Sequence, residues 1–301
     1  MTELCQTTGP LIRAYTERLE AAKVYAPFED AQTLLAHAMG IERFPYGPLL
    51  PWDLPVHEQA IQKAETYVQR RERREPLARI TGFSVFWGLK FQMADKVFRP
   101  DPHAEALVEH ALIVLEKKKE APLRLLDLGT GSGCLLLALL HELPHATGVG
   151  VDIDERSVLA SRKNAQSLGM QNRGSFIQSD WGENIDESFD FIISNPPGVI
   201  RQTMPLLDPE MREHETVCSL EGGEDGLDSY RTIVSDLGRL LKRDGIALFR
   251  VHTWDREARL FKKAGFSQVE VKGNYRHHPW CVIVSGKRKG GFAASLKRIF
   301  K

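Results

Sequence analysis

Apolar residues recur at helical spacing through the first quarter of the chain. Leu11, Tyr15, Leu19 and Ala22 form one such stripe, and Ala31, Leu34, Leu35 and Ala38 a second. Helices are therefore expected across residues 11–74, interrupted by a loop where Pro45, Pro48, Pro51 and Pro55 break the pattern. A third helix is expected from about Val56 to Arg74. Between residues 79 and 98 the chain turns aromatic and β-branched, with Phe83, Val85, Phe86, Trp87, Leu89, Phe91 and Val97, and with Gly82 and Gly88 at turns. That run predicts short strands forming a two-stranded ribbon. From Leu123 onward, short apolar runs alternate with amphipathic stretches. Strands are expected at 123–128, 147–153, 175–178, 189–194 and 246–251, and helices at 132–143, 155–168, 229–241 and 256–264. Such alternation predicts an α/β fold, a mostly parallel sheet with helices on both faces. Two further strands, 269–272 and 280–285, are expected to close the chain as a hairpin that adds one antiparallel strand at an edge.

Length agrees with a divided chain: 301 residues at ~150 per domain is about two domains. The pattern divides it into a helical domain at 1–76, a ribbon linker at 77–100, an α/β domain at 101–286 and a basic tail at 287–301. Hydrophobic residues at 42% and charged residues at 27% exclude a disordered or collagen-like chain. Lys+Arg and Asp+Glu are both 40, which argues against bulk electrostatic binding to nucleic acid. A local exception is the tail, where Lys287, Arg288, Lys289, Lys297, Arg298 and Lys301 stand without an acid. It reads as a solubilising tail, or else as a contact for RNA. The run Arg70, Arg71, Glu72, Arg73, Arg74 reads as a solvated helix end, with a partner-binding patch as the alternative. Cys5, Cys134, Cys218 and Cys281 are far apart and form no CxxC pair, so neither zinc nor a redox pair is indicated. Residues 1–10 lack an apolar signal core, and the longest apolar run, 134–140, is far short of the ~20 residues of a membrane helix. A cytoplasmic protein without a membrane partner is expected.

Chemistry begins at Asp127-Leu-Gly129-Thr-Gly131-Ser-Gly133, which joins a strand to a helix. Glycines there let the backbone turn tightly and let a ligand approach without Cβ clashes. Asp152 ends the next strand, about 20 residues on, where an acid binds a ribose hydroxyl pair. Loop and acid together point to an adenosine-containing cofactor. The spacing is GxGxG rather than GxGxxG, which leans towards S-adenosylmethionine over a dinucleotide and leaves both open. Ser194-Asn195-Pro196-Pro197-Gly198 follows the strand at 189–194, and the carboxyl ends of strands in an open parallel sheet face the ligand crevice. Asn195 should therefore sit beside the cofactor. Its carboxamide oxygen accepts a hydrogen bond. Pro196 lacks an N–H but keeps its carbonyl, and two prolines stiffen the turn. Two fixed acceptors would each take one hydrogen of a planar –NH2 group and hold its nitrogen towards an electrophilic methyl. Catalysis would then be positioning and desolvation more than base chemistry.

Taken together, these residues resemble the glutamine methyltransferases that modify the Gly-Gly-Gln loop of bacterial peptide-chain release factors. The likeness covers nearly the whole chain. It runs from the helical N-terminal segment through Ala78-Arg-Ile-Thr-Gly82, Phe86-Trp87-Gly88, Arg99-Pro100 and Leu126-Asp-Leu-Gly-Thr-Gly-Ser-Gly133. It continues through Ser179-Asp180-Trp181, Ser194-Asn-Pro-Pro197 and Gly222-Gly-Glu-Asp-Gly226 with Tyr230-Arg231. The resemblance implies a Rossmann-like class I methyltransferase sheet behind an N-terminal helical domain that recognises the release factor. It implies that Gly129, Thr130, Gly131, Ser132, Gly133, Asp152, Asp180, Trp181 and Asn195 hold S-adenosyl-L-methionine, with Asp180 and Trp181 near the adenine. Asn195 and Pro196 would be the catalytic pair, with Arg99, Pro197 and Gly198 also on the substrate. A monomer without a metal is expected.

The chain also departs from that family's pattern, mostly on the substrate side. Gly198 stands where the pattern has Tyr, an aromatic that would stack on the target amide for about 1 kcal/mol. Asp101-Pro-His-Ala-Glu105 is longer than the usual run after Arg99-Pro100. Arg250 and His252 stand where the fifth strand usually carries Glu, and His277-His278-Pro279-Trp280 is unlike the usual segment. Arg250 is expected to pair with a neighbouring acid. Phe83, Phe86 and Trp87 read as hinge packing, or as replacements for the missing stack. His103, His252, His277 and His278 read as surface or core residues rather than as a base or a ligand. Two other functions remain open: a methyltransferase for a different protein or nucleic-acid amine, and a cofactor-binding protein with little catalysis.

Overall fold

A computed structural model describes residues 6–42, 47–252, 256–273 and 279–286. The basic tail, His277 and His278 lie outside the described residues. The described residues divide into two compact units, one holding those up to Val85 with Asp208–His214, the other holding Phe86–Leu207 and those from Glu215 onward.

Three long helices build the first unit: α1 (Thr8–Ala21), α2 (Pro27–Ala38) and α3 (Glu58–Glu72). Leu11, Tyr15, Leu19, Ala31, Leu34, Leu35, Ala64 and Val68 are buried in one cluster, the faces that the helical spacing predicts. Strands β1 (Gln6–Thr7) and β2 (Pro55–Val56) pair antiparallel; two residues each are too few to leave a periodic signal. Residues 77–81 form a helix, α4 (Leu77–Thr81), rather than the start of a strand. Ile80 joins the helical core, and Gly82, at φ +79°, ends the helix in the left-handed conformation common at C-termini.

The arginine run is not a solvated helix end. Arg71 is buried, its Nε 2.7 Å from Asp30 Oδ2 and its Nη1 2.9 Å from Glu210 Oε1. Arg74 grips both oxygens of the same Glu210 at 2.6 Å, and Arg70 pairs with Glu75. Burial pushes the Glu210 carboxyl up, but the bonds from Arg74 and Arg71 outweigh it and hold the group below its ordinary range. Glu210 is remote in sequence, so no local pattern could reveal its pairing.

The aromatic run forms the expected ribbon, β3 (Phe83–Phe86) paired with β4 (Leu89–Gln92). The main sheet has seven strands: β5 (Arg124–Leu128), β6 (Thr147–Asp152), β7 (Gly174–Gln178), β8 (Phe189–Ser194), β9 (Leu241–Arg250), β10 (Gln268–Gly273) and β11 (Pro279–Ser285). Their order is β10-β11-β9-β8-β5-β6-β7. Helices α5 (Glu105–Leu115), α6 (Cys134–Glu142), α7 (Glu155–Ser167), α8 (Asp228–Leu240) and α9 (Arg256–Lys263) accompany it. Successive strand residues alternate between two clusters: Leu125, Phe191, Ile193 and Leu248 in one, Leu126, Ile192, Ala247 and Phe249 in the other. Both faces are thus covered by apolar cores, as near-continuous hydrophobic strands require.

Two features differ from the pattern reading. The antiparallel strand is not at the edge. β11 pairs antiparallel with both β9 and β10 and lies between them. Cys281, Val282 and Val284 are fully buried, so β11 suits an inner position. β10, with Gln268, Glu270 and Lys272, is left at the edge, where polar residues suit solvent. The other difference is α5, whose 105–115 segment is apolar enough to hide its helical period.

Replacing Glu210 by Ala leaves Arg71 buried with fewer partners. It should cost the helical unit about 3 kcal/mol, measured as a shift in its urea midpoint. Because the Glu210 pKa lies below its unfolded value, its contribution is present above about pH 4.5 and is lost as pH falls through the depressed folded value. The Ala variant should lack that acid loss.

Candidate active site

Parallel registers bring several loops to one rim of the sheet. Leu128 of β5 is level with Val151 of β6 and with Ser194 of β8; Ser194 is level with Phe249 of β9, and Asp152 with Gln178 of β7. The segments that follow these carboxyl ends carry the residues singled out from sequence. They enclose a cavity of about 360 Å³. Gly129, Thr130, Gly131, Ser132, Asp152, Asp180, Trp181, Asn195, Pro197 and Arg99 all line it. Gly133, Pro196 and Gly198 are not among its lining residues.

The glycine loop is strapped in place. The N–H groups of Gly129 and Thr130 both donate to the Val151 carbonyl, at 2.9 and 2.8 Å. Asp152 receives the Gly131 N–H at 2.9 Å on one oxygen and the Asp154 N–H at 3.0 Å on the other. Burial raises its pKa against those two bonds. A carboxylate has about four lone-pair sites, so acceptor capacity remains for a hydroxyl pair. Beneath the loop, Asp127 is fully buried. One oxygen takes the Thr130 hydroxyl at 2.7 Å and the other has no hydrogen-bond partner among the described residues. Burial lifts this carboxyl to about 7. Asn164 of α7 steadies the Ser132 carbonyl through its Nδ2, at 3.0 Å.

Two glycines differ in purpose. Gly131 has φ +55°, and a Cβ there would meet nothing nearer than the Phe98 carbonyl at 4.0 Å. It marks open space on the cavity side that a side chain would take. Gly133, at φ +82°, would place a Cβ 3.0 Å from Ser161 Cβ and 3.2 Å from Leu137 Cδ1. Its smallness serves helix–sheet packing. Trp181 adopts φ +49°, costly for a bulky residue by about 1 kcal/mol or more, and its ring lies beside Gly129.

These residues fit S-adenosylmethionine. A glycine-lined cradle with room at Gly131, a half-buried carboxylate at the end of the second parallel strand and an indole wall meet in one cavity, which also includes the Asn195 carboxamide. Cys134 lines the same cavity with its thiol pushed up to about 12 by burial, which makes it a wall rather than a nucleophile. No group of three or more His, Cys, Asp or Glu among the described residues is set to hold a metal ion.

The surroundings of Asn195 hold features that the pattern did not reveal. Thr216, Cys218, Ser219 and Glu221 line the cavity from an aperiodic stretch, and Arg99 lies 3.9 Å from the buried Glu215. The Pro196 carbonyl faces the His252 ring, with Nε2 at 3.3 Å. Arg250 pairs with Asp101, as expected of a neighbouring acid. Of the aromatic residues in and after the ribbon, Phe98 lines the cavity, whereas Phe86 and Trp87 do not. Phe86 is buried in the core, and Trp87 bonds to Glu105 and Glu142.

Comparison with known proteins gives concordant matches. A Methyltransferase small domain family model matches residues 98–206, and a PrmC N-terminal domain model matches residues 10–82. A release factor glutamine methyltransferase of Rhodospirillum rubrum is 35% identical over 286 residues, covering 94% of this chain and 86% of that protein. The human MTRF1L release factor glutamine methyltransferase is 33% identical over 253 residues, covering 80% and 75%. Among solved structures, the T. thermophilus 16S rRNA N2 G1207 methyltransferase (RsmC) in complex with AdoMet and guanosine aligns with TM-score 0.53 at 22% identity, covering 68% of this chain and 50% of that one. The hMettl16 catalytic domain bound to a MAT2A 3'UTR hairpin aligns with TM-score 0.55 at 14% identity, covering 79% and 87%. At such identities these two structures establish the fold, a class I methyltransferase sheet. No helix among the described residues is long and apolar enough to cross a membrane.

Replacing Asp152 by Ala removes the charged acceptor from this cradle. Calorimetry should show S-adenosylmethionine binding weakened by about tenfold to a hundredfold, the cost of one to two charge-assisted hydrogen bonds. Unchanged affinity would place the cofactor elsewhere.

Proposed function

We infer that this chain, which belongs to the release factor glutamine methyltransferase family, transfers a methyl group from S-adenosylmethionine to the side-chain amide of a glutamine in a peptide-chain release factor. The observation that carries this reading is the shared cavity. Asn195 lines the same cavity as the glycine cradle and Asp152, which supports an amide acceptor beside a cofactor cradle.

The residues divide the work. Gly129, Thr130, Gly131 and Ser132 form the cradle, with Gly133 allowing the helix behind it to pack closely. Asp152 holds the ribose hydroxyls, and Asp180 and Trp181 bound the adenine. Bound S-adenosylmethionine supplies an electrophilic methyl on a sulfonium. Asn195 Oδ1 takes one amide hydrogen and the Pro196 carbonyl takes the other. Held by both, the amide nitrogen is fixed in place and its lone pair turned out of conjugation. Pro197 stiffens the turn and walls the cavity, and Arg99 and Gly198 border the substrate's approach. No strong base is required, because the N–H proton becomes acidic only as the new N–C bond forms. Positioning supplies the rate.

The helical unit is the natural holder of the release factor, which is the macromolecular partner assigned here; a cytoplasmic monomer is the simplest form of such an enzyme. The residue assignments at 1–76 for recognition, 77–100 for the ribbon and 101–286 for methyl transfer follow from the same reading. Nucleic acid has no assigned place at the site.

Incubating the protein with labelled S-adenosylmethionine and a purified release factor should place label on the glutamine of its Gly-Gly-Gln loop. Replacing Asn195 by Ala should lower that rate on the order of 100-fold, with cofactor affinity changed far less. Label in nucleic acid and none in the release factor would replace this substrate by another amine. Cofactor binding without transfer to any acceptor would identify a binding protein.

A further inference from the structure

Gly198 and His252 share one side-chain volume. A Cβ built on Gly198 would lie 2.0 Å from His252 Cδ2 and 2.7 Å from Cγ and Nε2. The imidazole therefore fills the space in which any side chain at 198 would begin. The register explains the meeting: Ser194 and Phe249 are level, so the segments that follow them, 195–198 and 250–252, leave the sheet side by side.

One bond holds the ring there, and others hold the backbone that carries it. His252 Nε2 lies 3.3 Å from the Pro196 carbonyl. A carbonyl can only accept, so Nε2 carries the hydrogen and, in the neutral ring, Nδ1 is left as an acceptor. The His252 backbone N–H donates to Glu257 Oε1 at 2.9 Å. Just before it, the Arg250 carbonyl accepts the Tyr230 hydroxyl at 2.7 Å, and the Arg250 guanidinium pairs with Asp101. On the opposite side, Gly198 is pinned by glycine contacts. A Cβ on Gly222 would come within 2.8 Å of the Gly198 Cα, and one on Gly226 within 2.7 Å of the Gly198 carbonyl. The loop cannot retreat from the ring, while His252 keeps an exposed surface.

A carbonyl oxygen has two lone pairs. His252 uses one at Pro196, and the second remains for a target N–H. An amide held by Asn195 and Pro196 would share the Pro196 oxygen with the imidazole, which brings the ring next to the held group.

We propose that His252 is a positioning residue for methyl transfer, its ring supplying the planar wall over the target amide that Gly198 lacks and its Nε2–H fixing the Pro196 carbonyl. The proposal rests on the amide-methyltransferase reading of the site. The neutral ring is the working form. Charged groups facing it are Arg250 from the end of β9, Asp101 from the segment before α5 and Glu257 from α9. Protein that displaces water from the inward side of the ring, and then Arg250, lower its pKa below the usual 6.5.

The test compares initial rates on a purified release factor for wild type, His252→Ala, His252→Phe, Gly198→Tyr and the double variant Gly198→Tyr/His252→Ala. His252→Ala should lower kcat about five- to tenfold, the worth of one aromatic contact, with the KM for S-adenosylmethionine unchanged. His252→Phe keeps the wall and should stay within about threefold of wild type, while losing the acid limb of the pH profile that protonation of His252 imposes. Gly198→Tyr alone should lose at least as much as His252→Ala, because two rings compete for one space. The double variant, with that space vacated, should recover to within about threefold of wild type, a strongly non-additive cycle. Wild-type or faster turnover by His252→Ala overturns the proposal, and so does a double variant whose loss is the product of the single losses. Should His252→Ala fail to fold, kcat and the pH profile of His252→Phe decide, and an unchanged acid limb overturns the role. A wild-type protein that labels no release factor overturns the function itself, a result distinct from equal labelling by wild type and His252→Ala.

Discussion

One constraint governs the rest of the structure: the parallel register of β5, β6, β8 and β9. Parallel pairing aligns the carboxyl ends of strands whose sequences are far apart. Leu128 and Ser194 are 66 residues apart in the chain, yet the Ser194 hydroxyl donates to the Leu128 carbonyl at 2.5 Å. With that alignment the glycine loop, Asp152, Asn195 and His252 all leave the sheet at one rim. A slip of one residue would turn every side chain to the opposite face, and the two buried cores on either side oppose it.

Close backbone approach is the second theme. Amides of the 129–131 loop are spent on Val151 and Asp152, which holds the loop rigid with an open face towards the cavity. On the other side of β8, the 195–198 turn is confined by Gly222 and Gly226 and by the His252 ring. In the proposed reading, the cofactor cradle is built from backbone and one carboxylate, and the substrate wall from a stiff turn and an imidazole. Fixed groups of this kind are what catalysis by positioning demands.

Much of this was legible in the sequence, and the limits have physical causes. Short, fully apolar runs such as 189–194 and the Gly129–Gly133 loop mark strands and turns by local preference alone. Asp152 and Asn195 could be placed because strand ends in a parallel sheet share a rim. Partners far away in sequence could not. Arg71 and Arg74 look like a solvated run until Glu210 is brought against them. β11 looks like an edge strand until its buried residues are given a neighbour on each side. Gly198 looks like a lost aromatic until the ring of His252, 54 residues later in the chain, is found in its place.

The most direct test of the shared rim is a crystal structure with S-adenosylhomocysteine bound. The expected result is a ribose on Asp152, an adenine beside Trp181 and a thioether sulphur turned towards the Asn195 carboxamide and the Pro196 carbonyl. A nucleoside seated away from Asp152, or a sulphur facing away from Asn195 with no path for a methyl to reach an amide held there, would contradict the account.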